Sequence, residues 1–302
     1  MNLVTTTYRT RFAPSPTGKM HLGHARTALV TWLRARKLGG QIIMRIEDID
    51  RPRVVPGAAD RICRDHEWLG LDWDQGPVLQ SSREEAYESA LGRLEALGLI
   101  YPCTCSRKEI AEIASAPHGD DGPRYPGTCR LGAAKTDRAA SIRFFFEDPS
   151  PGFDDLLHGS FSPGRVGGDF VLRRADGVWA YQLAVVVDDA EMEITEVIRG
   201  DDLLSSTPRQ IALYRALGYR VPGFAHVGLV VDSEGTRLSK RHGSIAIESL
   251  REAGRSAEEV IGMLAFSLGL TATDAPIRAD ALIERFELSE IPRSSFTWNS
   301  EG

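Results

Sequence analysis

Long apolar runs are missing from this chain of 302 residues: no stretch is long enough to span a bilayer, and the first ten residues hold no signal-peptide core. Neither membrane insertion nor secretion is expected. Cysteine is scarce as well. Four in the whole chain cannot build a disulfide framework, so the expected compartment is a reduced cytoplasm. Positive charge is not in excess, since the formal net charge is −6. No global field advertises a nucleic acid, although a local basic face would still serve one. A P-loop, a Gly-x-Gly-x-x-Gly fingerprint, internal repeats and low-complexity tracts are all absent. What is left, 42% hydrophobic and 26% charged residues, is the composition of an ordinary globular enzyme.

The order of patterns predicts an α/β fold. Tyr8 to Phe12 reads as a short strand that runs into the turn Ala13-Pro14-Ser15-Pro16-Thr17-Gly18. A helical pattern follows from Leu22 to Lys37, closed by Gly39-Gly40, and Gln41 to Ile46 is a buried strand. Strand, helix and strand in that order make a βαβ unit with parallel strands. Helical patterns recur at Gly57–Leu69 and Arg83–Leu97, and strand-like runs at Ile142–Phe146, Phe170–Arg173, Trp179–Val187, Glu196–Gly200 and Val227–Val231. A helix over Asp202–Leu217 separates the last two, and from Ser244 to about Pro292 the pattern is helical. The expected organisation is a first half of a doubly wound domain over 1–100, an insertion and connecting subdomain over 101–195, the second half over 196–243 and a helical tail over 244–302.

Two segments suit phosphate chemistry. His21 and His24 are three apart where the first helix begins, so both rings project on one side and can donate to oxygens as charge builds at phosphorus. The helix entrance adds backbone N–H groups and a positive dipole end. The second segment, Arg237-Leu238-Ser239-Lys240-Arg241, places three cations within five residues, enough to neutralise a leaving pyrophosphate. Taken singly, each has a plainer reading, as a helix start with exposed histidines and as a solvated charge run. Between them, Cys103-Thr104-Cys105 and Cys129 lie in a loop-rich stretch that fits a structural metal site better than a disulfide. Three thiolates leave one position to fill. Spacing favours His118, whereas Tyr125, four residues before Cys129, is chemically less usual.

Arg11-Phe12-Ala13-Pro14-Ser15-Pro16-Thr17-Gly18 leading into His21-Leu22-Gly23-His24, with Arg237–Arg241 far downstream, resembles the catalytic core of class I glutamyl-tRNA synthetases. Arg45 to Asp50, Tyr181 to Asp189 and Arg199 to Asp202 fit the same frame in the same order. His24 stands where glycine or serine is expected in glutamate enzymes, and Arg237 where lysine usually opens the second motif. The resemblance implies a Rossmann-like parallel sheet with an inserted zinc-bearing subdomain on the acceptor side. It implies that Arg11 and Tyr181 contact the side-chain carboxylate of glutamate, Glu47 its ammonium and Arg199 its α-carboxylate, with Phe12, Ala13, Pro14 and Ser15 in the same loop. His21, Gly23, His24 and Arg237–Arg241 would hold ATP with its Mg²⁺, and His21, His24 and Lys240 would act in catalysis.

The full-length glutamyl enzymes that carry zinc tend to show Cys-x-Cys followed by Cys-x-His. Here Cys129-Arg130-Leu131 lacks that histidine, and Cys-x-Cys with Tyr-x-x-x-Cys resembles a truncated branch of the family. This favours Tyr125 over His118 and one structural zinc per chain, held by Cys103, Cys105, Tyr125 and Cys129. After Arg241 there remain 61 residues, too few for the helical anticodon-binding portion of a full synthetase. The truncated branch attaches glutamate to queuosine in the anticodon of tRNA(Asp), so the expected partners are ATP, glutamate and that tRNA, acting on a monomer. The competing expectations are a trimmed core that charges the 3′ end of tRNA(Glu), a non-catalytic zinc-bearing RNA-binding module, and an adenylyltransferase with a related histidine motif.

Overall fold

In a computed structural model of the chain, the residues described are 7–106, 108–110, 125–132, 135, 137–146, 149–164, 168–236 and 245–298. The first βαβ unit comprises β1 (Arg9–Phe12), α1 (Leu22–Lys37) and β2 (Gln41–Ile46), with β1 and β2 parallel in register from Arg9↔Gln41 to Phe12↔Met44. In α1 the apolar positions Leu22, Ala25, Ala28, Leu29, Trp32 and Leu33 recur at helical spacing and are all buried. Arg34, Arg36 and Lys37 fill its last turn, where cations suit the carbonyl end, and Gly39 takes the left-handed φ of 61° that turns the chain away. Next come α2 (Ala58–Trp68), β3 (Gln75–Leu79), parallel to β2 on the side away from β1, and α3 (Glu84–Ala96).

A second layer interrupts this pattern. The strands β4 (Ile100–Cys103), β5 (Ser141–Phe144) and β8 (Phe170–Arg173) form an antiparallel sheet, while β6 (Phe153–Asp155) and β7 (Gly159–Phe161) make a hairpin. The chain then enters α4 (Tyr181–Glu191), β9 (Glu196–Gly200), α5 (Thr207–Ala216) and β10 (Gly223–Val227), with β9 and β10 parallel. The hairpin joins them, β6 running parallel to β10 at Phe224↔Asp155.

The apolar run expected to be a strand over Trp179–Val187 is helical from Tyr181 onward. Leu183 to Val187 are each buried, so α4 is wrapped on every side and shows no amphipathic period to betray it. The run expected over Val227–Val231 breaks at Gly228-Leu229, leaving a separate β11 (Val230–Val231). The carbonyl of Gly228 is taken by the buried guanidinium of Arg26 instead of by a ladder. The tail is not purely helical either. After α6 (Ile247–Glu252) and α7 (Ala257–Ser267), β12 (Phe296–Thr297) runs parallel to β11. A Cβ on Gly228 would lie 2.5 Å from the carbonyl oxygen of Ser294, so that return needs glycine there.

The two parallel halves meet where β1 lies along β9. The Thr195 N–H donates to the Arg9 carbonyl at 2.9 Å, and the Arg9 N–H to Thr195 Oγ1 at 2.9 Å. From β1 the chain winds to β2 on one side, and from β9 it winds to β10 on the other. Their carboxyl ends therefore diverge, and a crevice opens above them, which is where open α/β sheets bind ligands.

Buried charge fixes the seam from below. Asp189 on α4, 2% exposed, accepts from Arg45 Nη1 at 2.6 Å and from Arg11 Nε at 3.2 Å. Burial alone would raise its pKa, but Arg45 and Arg11 hold it below the usual carboxylate range. Replacing Asp189 with Asn leaves two buried guanidinium groups facing a neutral amide. The expected loss is about 3 kcal/mol, read as a lower denaturant midpoint, against less than about 1 kcal/mol for Glu193→Gln at the exposed pair with Arg9. Because the folded-state pKa of Asp189 is depressed, the difference should persist down to about pH 4 and shrink as pH falls below that.

Candidate active site

One cleft of about 1500 Å³ occupies the crevice, and its lining includes Arg11, His21, Glu47, Tyr181 and Arg199. Phe12, Ala13, Pro14, Ser15, Gly23 and His24 line it too, so the structure brings together every described residue expected to hold glutamate or ATP. Cys103 and Cys105 border the same cleft. The segment Arg237–Arg241 and His118 lie outside the described residues.

The loop after β1 is held open by backbone bonds rather than by regular structure. The Glu47 N–H donates to the Pro14 carbonyl at 2.9 Å, and the Val55 N–H to that of Pro16 at 2.9 Å. Both carbonyls belong to prolines, which accept without offering an N–H in return. Past the turn, the Leu22 N–H donates to Ile245 O at 3.1 Å and the Ile247 N–H to Met20 O at 2.9 Å. His21 thus sits beside the start of the tail. Its ring centroid lies 6.2 Å from that of His24, with His21 half-buried and His24 exposed at the first turn of α1.

The acidic and basic groups are interlocked. Arg45, fully buried in β2, reaches Glu47 at 3.1 Å as well as Asp189. Burial raises the pKa of Glu47, with Arg45 and Arg11 opposing it. The neighbour of Asp189 on α4, Asp188, accepts from Gln80 Nε2 at 2.7 Å, Arg83 Nε at 2.5 Å and Tyr87 Oη at 2.9 Å. Arg11 also donates through Nη1 to the Ile198 carbonyl at 3.2 Å, which ties β1 to β9 at the mouth of the seam.

Arg199 is held differently. Its Nη1 donates to Gln210 Oε1 at 2.8 Å and to Tyr181 Oη at 3.4 Å, its Nη2 to Thr207 Oγ1 at 2.8 Å, and its Nε to His226 Nε2 at 3.0 Å. All these bonded groups are neutral hydroxyl, amide or imidazole atoms, although Arg199 is only 5% exposed.

At the far edge of the cleft, Cys105 Sγ lies 3.6 Å from Cys129 Sγ, and all three cluster sulfurs lie within 4.8 Å of one another. The phenol oxygen of Tyr125 is 3.3 Å from Cys103 Sγ and 3.8 Å from Cys105 Sγ, and it accepts the Cys129 N–H at 2.9 Å. Four sulfurs around a tetrahedral zinc are spaced about 3.7 Å apart, which these separations match. The three thiols are not joined as disulfides, so Cys103, Cys105 and Cys129 form a group able to hold a metal ion.

Asp155, His226, Gln210 and Thr207 escaped the sequence reading. His226 left one trace, a polar residue at an inward position of the apolar strand Phe224-Ala225-His226-Val227. Asp155 left none, because it lies in a short strand between loops.

The profile of the family described as tRNA synthetases class I (E and Q), catalytic domain, matches residues 7–300. A glutamyl-Q tRNA(Asp) synthetase of Symbiobacterium thermophilum is 53% identical, covering 94% of this chain and 93% of its own length. A glutamate–tRNA ligase of Geobacter sulfurreducens is 44% identical over 97% of this chain, which spans 64% of that protein. Among solved structures, the glutamate–tRNA synthetase of Elizabethkingia anophelis superposes with a TM-score of 0.82 at 30% identity, covering 98% of this chain and 68% of that one.

Proposed function

The chain belongs to the class I tRNA synthetases of the glutamate and glutamine type, within the glutamyl-Q tRNA(Asp) group, and from that premise we propose how its cleft works as a ligase. The reaction is ATP-dependent activation of glutamate followed by transfer of the glutamyl group to queuosine in tRNA(Asp). The observation that carries the glutamate reading is Arg199, a buried cation bonded only to neutral groups inside a cleft that Arg11 and Glu47 share. A buried guanidinium in that state favours an anionic ligand, because a carboxylate supplies the missing charge and two acceptors.

In this reading Arg199 binds the α-carboxylate, Arg11 and Tyr181 the side-chain carboxylate, and Glu47 the ammonium. Phe12, Ala13, Pro14 and Ser15 shape the wall between the amino acid and the nucleotide. An α-carboxylate oxygen attacks the α-phosphorus of ATP, and the bond to the bridging oxygen breaks to release pyrophosphate. His21 and His24 donate to the phosphate oxygens as charge builds, Gly23 lets the nucleotide approach the helix entrance, and Arg237–Arg241 meet the pyrophosphate through Lys240. Mg²⁺ accompanies the nucleotide. A nucleophilic group of the queuosine base then attacks the acyl carbon, and AMP leaves. The acceptor reading rests on the relatives, 45–53% identical in four glutamyl-Q tRNA(Asp) synthetases.

Zinc fits the cysteine group: three thiols and a phenol converge in a largely buried pocket at the border of the cleft. Cys103, Cys105, Cys129 and Tyr125 would hold it, and when bound it supplies a cross-link between β4 and the segment that follows residue 124.

Three measurements test these assignments. With labelled glutamate and ATP, the label should reach queuosine-containing tRNA(Asp) and fail to reach the same tRNA lacking queuosine. Stable 3′-esterification of tRNA(Glu) would instead identify a charging enzyme. Lys240→Ala should slow glutamate-dependent pyrophosphate exchange by about 10²-fold or more while leaving the thermal midpoint unchanged, and an unaltered exchange rate removes Lys240 from the mechanism. Tyr125→Phe should lower the zinc retained under mild chelation, whereas His118→Ala should not; the reverse pattern makes His118 the fourth ligand.

A further inference from the structure

Behind Arg199 stands a buried pair that touches neither glutamate nor ATP in the reading above. His226, fully buried in β10, places Nδ1 2.6 Å from Asp155 Oδ2, while its Nε2 lies 3.0 Å from Arg199 Nε. Arginine can only donate, so Nε2 must be the acceptor and the ring proton must sit on Nδ1. That proton goes to Asp155. The other oxygen of Asp155, Oδ1, accepts the N–H groups of Leu157 and His158, each at 2.9 Å. Every lone pair and proton in the chain from Leu157 to Arg199 therefore points one way.

We propose that Asp155 and His226 are positioning residues that set the guanidinium of Arg199 for the α-carboxylate of the amino-acid substrate, by fixing the imidazole in its Nδ1–H tautomer. The proposal rests on the reading of Arg199 as the carboxylate grip. Two features support it. The relay is insulated, Asp155 being 4% and His226 0% exposed, so no solvent can substitute for a lost partner. It also spans three parallel strands, with Asp155 on β6, His226 on β10 and Arg199 on β9, so it carries the register of the sheet into the cleft. Burial, with the charge of Arg199, keeps the imidazole neutral and able to accept.

An amide at position 155 would reverse the relay. Its oxygen is claimed by the two backbone donors at Leu157 and His158, so its NH₂ must face His226 Nδ1. The ring proton is then forced onto Nε2, where it opposes the Arg199 Nε–H. Asp155→Asn should raise the glutamate KM for pyrophosphate exchange roughly 10- to 100-fold, with the ATP KM unchanged and kcat less affected. His226→Gln offers an N–H to Asp155 and an oxygen to Arg199 from one amide, so it should keep the glutamate KM near the native value, whereas His226→Leu should raise it as Asp155→Asn does. In ¹⁵N spectra of the imidazole, Asp155→Asn should move the proton from Nδ1 to Nε2.

A native glutamate KM in Asp155→Asn, or equal values for His226→Gln and His226→Leu, overturns the relay. Where Asp155→Asn does not fold, the two His226 variants carry the same comparison. Arg199→Lys separates the two layers of the argument. An unchanged glutamate KM there overturns the carboxylate reading, and the relay falls with it. A raised KM in Arg199→Lys beside a native value in Asp155→Asn overturns the relay alone.

Discussion

The carboxylates of Asp188 and Asp189 are the constraint on which the rest of the cleft depends. They are adjacent on α4, wholly buried, and face four different elements between them. Asp189 takes Arg11 from β1 and Arg45 from β2, and Asp188 takes Gln80, Tyr87 and Arg83 from the segments before and within α3. A buried pair of this kind is weak evidence for stability, because an apolar cluster of equal volume would do as well. What it supplies here is placement. Arg11 is gripped at Nε by Asp189 and at Nη1 by the Ile198 carbonyl, so its guanidinium plane is set by two elements that β1 itself does not control.

The same economy governs the phosphate end. The topology alone creates a crevice between β1 and β9, but a crevice has no chemistry. The turn after β1 gives it some by spending its carbonyls on Glu47 and Val55, which leaves the entrance of α1 facing the cleft. The start of the tail is then stitched to both sides of His21 through Met20 and Leu22. The stitch ties residues 245–247 to the turn that carries His21, although more than two hundred positions separate them in sequence. Lys19 and Glu248, 2.8 Å apart, reinforce the same join at the surface.

The βαβ start was legible to within a residue, because α1 carries apolar residues at helical spacing and β2 is a short apolar run closed by turn residues. Legibility failed where burial is complete on all sides. The stretch Leu183–Val187 has no polar face, and without one a helix and a core strand read alike. Short strands such as β6 and β7, three residues each, were beyond pattern reading for the opposite reason, since period two needs more length to show. The cleft residues that could be read in advance were those in motifs. Asp155 and His226 belong to no motif, and only the tertiary fold brings residues 71 positions apart to 2.6 Å.

Two arginines in one cleft invite the assumption of equivalent roles, but their partners divide them. Arg11 already shares a buried carboxylate with Arg45, so part of its charge is compensated before any ligand arrives. Arg199 is bonded to Gln210, Thr207, Tyr181 and His226, and the nearest anion along that chain, Asp155, stands beyond a neutral ring. A full carboxylate placed directly against Arg199 would compete with the substrate for the same charge. An imidazole interposed between them keeps the guanidinium oriented and leaves its charge to the ligand. The reverse arrangement, with Asp155 in contact and His226 behind, would satisfy the arginine and weaken the site. By this argument the order of residues in the relay matters as much as their identity, and it explains why a histidine is buried in a strand that is otherwise apolar.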